Sequence, residues 1–96
     1  MNKPLAIDAA VMRRLAKLPR EQRLECLLAL CEILEVFGRP HLHTGLSIRK
    51  LTKRTFECRG NIDLRFLFHN RSDCLYISFL GDHNEVRAAL KTGKCD

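Results

Sequence analysis

Two periodicities divide the chain. As far as Phe37 the apolar residues recur every three or four positions, and from Ile48 onward they alternate with polar ones. Asp8 is placed to cap a first helix whose stripe is Val11, Met12, Leu15 and Leu18. Leu18-Pro19 ends it, and Pro19 suits the first turn of a second helix. From Arg20 to Phe37 the stripe is Leu24, Leu27, Leu28, Cys31, Leu34 and Phe37, widened by Leu30, Ile33 and Val36. That width predicts a helix buried on more than one side. Gly38 suits the left-handed position that closes a helix, so the first two helices read as a hairpin.

After the polar loop RPHLHTGL come four short β-prone runs, Ile48–Leu51, Phe56–Arg59, Leu64–His69 and Leu75–Leu80. The links TKRT, GNID and NRSD are short enough to favour antiparallel neighbours. Alternation turns Phe56, Cys58, Leu64, Phe66, Phe68, Leu75, Ile77 and Phe79 towards the helices. Glu57, Arg59, Arg65, Leu67, His69, Tyr76 and Ser78 fall on the opposite face, and a short helix follows over 84–90. The order ααββββα predicts an α+β fold: a helical hairpin packed on one face of a twisted four-stranded antiparallel sheet, with a short C-terminal helix.

Composition narrows the picture. Residues 1–96 suffice for one modest core, read as a single domain. No run is apolar enough to span a bilayer, and the expectation is a soluble, cytoplasmic chain without membrane contact. Five cysteines in no paired spacing argue against a disulfide framework, and no metal site is expected.

The net charge of +6 is localised. Residues 48–71 hold seven basic side chains (Arg49, Lys50, Lys53, Arg54, Arg59, Arg65, Arg71) against two acidic ones (Glu57, Asp63). That is the footprint of a phosphate-rich or acidic partner. Lysine and arginine also discourage edge-to-edge strand pairing, and composition leaves both readings open.

Two kinds of residue could carry chemistry. His83 follows the last strand, from where its ring can reach the open face bearing Arg65 and Arg59 and exchange a proton while the arginines hold a phosphate. The alternative is a helix-start histidine bonded to Asp82 or a nearby carbonyl. His41 and His43 lie in the loop ahead of the basic stretch, as proton acceptors, substrate contacts or simple loop surface, and His69 reads as surface. Arg65 interrupts the apolar run LRFLF on the open face, where it either covers apolar surface or presents a planar fork to phosphate. Lys50, Lys53 and Arg54 fit diffuse phosphate attraction, and Tyr76 could stack a base.

In order and spacing, the segments GRPHLHTGLSIRKL, FECR, LRFLF and LYISFLGDHNEV resemble the RelE/ParE superfamily of bacterial type II toxins, over roughly residues 18–90. The resemblance implies a toxin of a toxin–antitoxin system that cleaves mRNA on the ribosome without a metal or other cofactor. A base activates the 2′-hydroxyl, cations stabilise the pentavalent phosphate, and an acid protonates the leaving 5′-oxygen. His83 matches a histidine at the end of the last strand in the YafQ-like and YoeB-like branches. Arg65 matches the arginine that contacts the scissile phosphate in YoeB-like members, and His41 or His43 an upstream histidine of the YafQ-like branch. Arg59 joins Arg65 as the implied phosphate contact.

The match departs at Asn84, where YoeB-like members carry a catalytic tyrosine, and Lys50 and Lys53 only loosely match the lysine pair of the RelE branch. The implied partners are a cognate, acidic antitoxin, in a toxin–antitoxin hetero-oligomer, and the translating ribosome with its mRNA. The alternatives are a ParE-like inhibitor of DNA gyrase and an inactive RelE-like binding protein.

Overall fold

The computed structural model describes residues 3–37 and 48–92. His41 and His43 lie outside them. Among the described residues eight elements follow in chain order: β1 (Leu5–Ile7), α1 (Ala9–Lys17), α2 (Arg20–Val36), β2 (Arg49–Lys50), β3 (Thr55–Arg59), β4 (Arg65–Asn70), β5 (Leu75–Gly81) and α3 (His83–Thr92). The sheet order is β1-β5-β4-β3-β2.

The α+β class and the helical hairpin hold, but the sheet has five strands and is mixed. β1 pairs in parallel with β5, Leu5 opposite Leu75 and Ile7 opposite Ile77. Three residues are too few to show an alternation, so the strand carries no sequence signal. Its pairing is continued on both sides, by Leu75 N–H donating to the Pro4 carbonyl at 2.9 Å and Asp8 N–H to that of Ile77 at 3.0 Å.

Local chemistry sets the boundaries. The Asp8 carboxylate caps α1 by accepting from Ala10 N–H at 2.8 Å. The residue before proline is driven to extended backbone, and α1 stops at Leu18 (ψ 149°) before Pro19. In the β3–β4 link, Asn61 Oδ1 accepts from Asp63 and Leu64 N–H, both at 2.8 Å, a side-chain mimic of a backbone turn.

The main core lies between the helical hairpin and one sheet face, where Val11, Leu15, Cys26, Ala29, Leu30 and Ile33 meet Cys58, Phe66, Phe68, Leu75, Ile77 and Leu80. Here the helix reading needs correcting. The first four residues of the predicted stripe point outward, Leu24, Leu27 and Leu28 being 48%, 41% and 62% exposed and Cys31 exposed too, whereas Leu34 is half-buried and Phe37 packs against the core. The residues taken as the margin of that stripe, Leu30 and Ile33, are the buried ones, joined by Cys26 and Ala29. A helix laid on a sheet buries one side, and α2 had apolar residues on more than one.

The second correction concerns the last strand. Leu67 opposes Phe79 while Phe68 opposes Ile77, so Ser78 is an unpaired bulge residue. One extra residue reverses the alternation. Leu80 therefore enters the main core, and Phe79 turns to the other face, where it packs with Leu51, Leu67, Val86 and Ala89. α3 thus covers part of the face expected to be open, and the sheet carries helices on both sides.

α3 turns directly off β5. A Cβ on Gly81 would stand 2.8 Å from the Phe79 ring and 2.9 Å from Glu85 Cβ, so the turn requires glycine. Asp82 and Glu85 form a reciprocal capping box. Asp82 Oδ1 accepts from Glu85 N–H at 2.8 Å and Glu85 Oε1 accepts from Asp82 N–H at 2.9 Å. The Arg14 guanidinium forks the same carboxylate at 2.9 and 3.0 Å, tying α1 to α3.

Gly81→Ala should lower stability by roughly 1–3 kcal/mol through this overpacking, read as a lower urea midpoint at constant slope. Arg14, then the Asp82 N–H, hold the Glu85 carboxyl below the ordinary glutamate value of 4.5. A depressed native pKa stabilises fully above that ordinary value and is lost as pH falls through the native one. Glu85→Gln should therefore cost up to about 1 kcal/mol at neutral pH. It should also leave a shallower fall of melting temperature with acid than the parent shows, when both are followed by circular dichroism.

Candidate functional site

β4 supplies the frame. Phe66 and Phe68 enter the main core, so Arg65, Leu67 and His69 stand on the opposite face, with Leu67 under α3. Arg65 and His69 are separated by roughly 13 Å along the strand. They mark two ends with different chemistry.

At the first end Arg65 is partly buried, and its guanidinium lies 3.6 Å from Glu57 Oε1 on β3. Arg49 of β2, directly opposite Glu57 in the ladder, approaches the same oxygen at 3.7 Å. Glu57 is 4% exposed. Both approaches are too long for hydrogen bonds, so the carboxylate sits in a cationic field with lone pairs left to accept a hydrogen bond. Arg59 stands opposite Arg65, a like-charge neighbour that favours an anion between them. Arg59 also lines a groove of about 400 Å³ beside Glu25 and Glu32 of α2.

Gly81 is the ladder partner of Arg65, and His83 lies two residues further on, at the start of α3. His83 is exposed, and the capping of α3 falls to Asp82 and Glu85. The alternative of a histidine engaged by the helix start is thus not needed to explain the turn. Sequence reasoning missed Glu57 as a site residue. Its signal was a carboxylate within the basic stretch, on the same face as Arg65.

The second end holds the β2–β3 and β4–β5 links. Lys53 and Arg54 are exposed in the former and line a cavity of about 390 Å³ with Thr55, His69, Asn70 and Arg71. His69, expected at the surface, is 7% exposed. Its Nδ1 lies 3.1 Å from Thr55 Oγ1 and its Nε2 2.9 Å from Ser78 Oγ. Ser78 in turn donates to the Leu67 carbonyl at 3.4 Å. Each ring nitrogen of His69 thus has a hydroxyl within hydrogen-bond distance. The bulge that frees Ser78 from the ladder is what buries the ring.

Tyr76 is not an open stacking platform on both sides. Arg71 covers one face of its ring with the guanidinium carbon 4.0 Å from the centroid, and its hydroxyl donates to Asp8. That bond, then the Ala10 N–H, holds the Asp8 carboxyl below its ordinary value. Lys50 is paired with Phe56, on the helix-facing side, and does not join Arg65. Burial pushes the Cys26 thiol up to about 11 and that of Cys58 further, so neither supplies a thiolate. Arg65 and Glu57 therefore come together, His83 starts the helix two residues after the ladder partner of Arg65, and Lys53 and Arg54 lie at the far end.

No family model matches the chain, and no curated protein matches it by sequence. Solved structures do match its backbone. A chain of the archaeal RelE–RelB complex from Pyrococcus horikoshii OT3 superimposes with a TM-score of 0.68 at 22% identity, covering 85% of this chain and 96% of that one. A copper-bound mutant toxin from Helicobacter pylori does so at 0.53 and 19% identity, over 90% and 99%. In neither is the sequence close, and what is shared is the architecture. With its helical hairpin on one face of the sheet, the chain has a RelE-like toxin fold.

Proposed function

We propose that this chain is the toxin of a toxin–antitoxin pair and a metal-free, ribosome-dependent mRNA endonuclease of the cytoplasm. The observation that carries the reading is the buried Glu57 carboxylate 3.6 Å from the Arg65 guanidinium, on a strand register that leads from Arg65 through Gly81 to the exposed His83. Phosphodiester cleavage needs three things there: a proton acceptor, a cation and a proton donor.

Glu57 takes the proton of a ribose 2′-hydroxyl as the oxygen attacks phosphorus. Arg65 and Arg49 meet the charge that builds on the phosphoryl oxygens, with Arg59 beside them. His83 gives a proton to the departing 5′-oxygen, leaving a 2′,3′-cyclic phosphate and a free 5′-hydroxyl. The charge of the central stretch suits an acidic antitoxin segment laid over this face. The RelE–RelB neighbour, a toxin-fold chain crystallised with its partner, supports such a hetero-oligomer.

Inducing the chain in cells and mapping transcript ends should reveal new cuts within translated codons. Glu57→Gln, Arg65→Ala and His83→Ala should each lower cutting by about 100-fold or more. Intact transcripts together with a DNA-damage response would replace this reading with gyrase inhibition.

Arg65→Ala should also destabilise the fold by roughly 1–3 kcal/mol, because it leaves a buried carboxylate facing only the exposed Arg49. Glu57→Gln should be milder, which urea unfolding separates from the shared loss of activity.

A further inference from the structure

We infer that the outer face of the helical hairpin is a self-association surface, on which a second copy of this chain docks across a two-fold axis. Six large apolar side chains stand exposed among the described residues. Five of them, Met12, Leu24, Leu27, Leu28 and Ile62, lie on the hairpin or on the β3–β4 turn beside it, and the sixth, Leu90, is on α3. Single exposed apolar residues need no explanation, but a cluster of this kind marks an interface.

The charges around the cluster say which partner fits. α2 gives Cys26, Ala29, Leu30 and Ile33 to the core, so at roughly 100° per residue Leu24, Leu27 and Leu28 point away from the sheet. Glu25 and Glu32 fall on one flank, where they line the groove of about 400 Å³ with Leu28, Arg59 and Ile62. Arg23 falls on the other flank. Its guanidinium donates there to the Ala16 and Leu18 carbonyls at 3.2 and 3.3 Å, which places the end of α1 on that side. α1 turns Val11 and Leu15 to the core and leaves Arg13 and Lys17 exposed one turn apart, with Met12 and Ala16 beside them. Among the described residues, none of Arg13, Lys17, Glu25 and Glu32 belongs to an ion pair. The outer face therefore runs from a basic strip on α1, through an apolar middle, to an acidic strip on α2.

Such a face is complementary to itself. A two-fold axis parallel to the helices lays α1 of each copy against α2 of the other, and every contact is made twice. The basic strip then meets the acidic strip on both sides of an apolar centre, the layout of a dry core with a charged rim. A nucleic acid or an acidic protein segment would be repelled by Glu25 and Glu32, whereas a second copy brings the cations they lack. Glu57 and Arg65 stand on the sheet face away from the hairpin, so the pairing leaves them open. It does not rest on the nuclease reading.

Sedimentation velocity on the purified chain, over a dilution series, should show a species of twice the 11.1 kDa monomer that dissociates on dilution. Leu24→Glu with Leu28→Glu, both at exposed positions, should raise the dimer dissociation constant at least about tenfold. The melting temperature of the dilute monomer should stay where it is. Reversing the basic strip with Arg13→Glu and Lys17→Glu should leave a monomer, and so should reversing the acidic strip with Glu25→Lys and Glu32→Lys. An equimolar mixture of the two reversed chains should regain the dimer, because both cross-contacts again join opposite signs.

A chain that is monomeric at every concentration would overturn the pairing and leave the face to a partner of different sequence. Growth beyond the dimer, or a dimer indifferent to the two leucine substitutions, would overturn the two-fold contact. Reversed chains that fail to pair on mixing would do the same.

Discussion

A single unpaired residue organises both faces of the sheet. Because Ser78 is skipped by the β4–β5 ladder, β5 presents Leu75, Ile77 and Leu80 to one core and Phe79 to the other. Without the bulge, regular alternation would send Phe79 into the helical hairpin and leave Leu67 without its aromatic neighbour. α3 would then have less apolar surface to rest on. The same residue contributes the hydroxyl that holds His69. Bulges bend a strand and re-aim side chains, and here one bulge determines where α3 packs, where His83 starts it and how the far cavity is walled.

Burial of Glu57 is the second constraint. A carboxylate 4% exposed among strands is costly unless compensated, and Arg65 with Arg49 provide the compensation by field instead of by hydrogen bonds. Such an arrangement leaves the carboxylate oxygens without a hydrogen bond from either arginine. It also accounts for an arginine inside the otherwise apolar run LRFLF, which reads as an interruption until its neighbour on β3 is known. The central excess of positive charge is then two groups: guanidiniums around one acid at the Arg65 end, and, at the turn end, cations that form no ion pair among the described residues.

The hairpin, the three longer strands and the turn after Gly81 were legible in the sequence, because each rests on local periodicity or turn chemistry. What escaped depended on tertiary pairing. β1 has three residues and exists through its bonds to β5. α2 carries apolar residues on more than one side, and the sheet selects Cys26, Ala29, Leu30 and Ile33 over the more regular Leu24–Leu27–Leu28 stripe. A bulge leaves no mark in an alternation it merely interrupts, so Phe79 was assigned to the wrong face. For the site, the strand positions of Arg65 and His83 followed from strand order, whereas Glu57 was hidden because one of two acids in a basic stretch resembles charge balance.

The two histidines of the described chain show why residue type alone says little about chemistry. His69 has both ring nitrogens engaged by hydroxyls and is shut in. His83 stands exposed at the first position of a helix whose capping is already satisfied by Asp82 and Glu85. Nothing in the turn consumes its imidazole, and proton transfer requires such a group. The capping box therefore has a consequence beyond helix stability. By doing without His83, it leaves the imidazole next in line after Gly81 and Arg65 available for chemistry, while the bulge fixes the other ring as a wall.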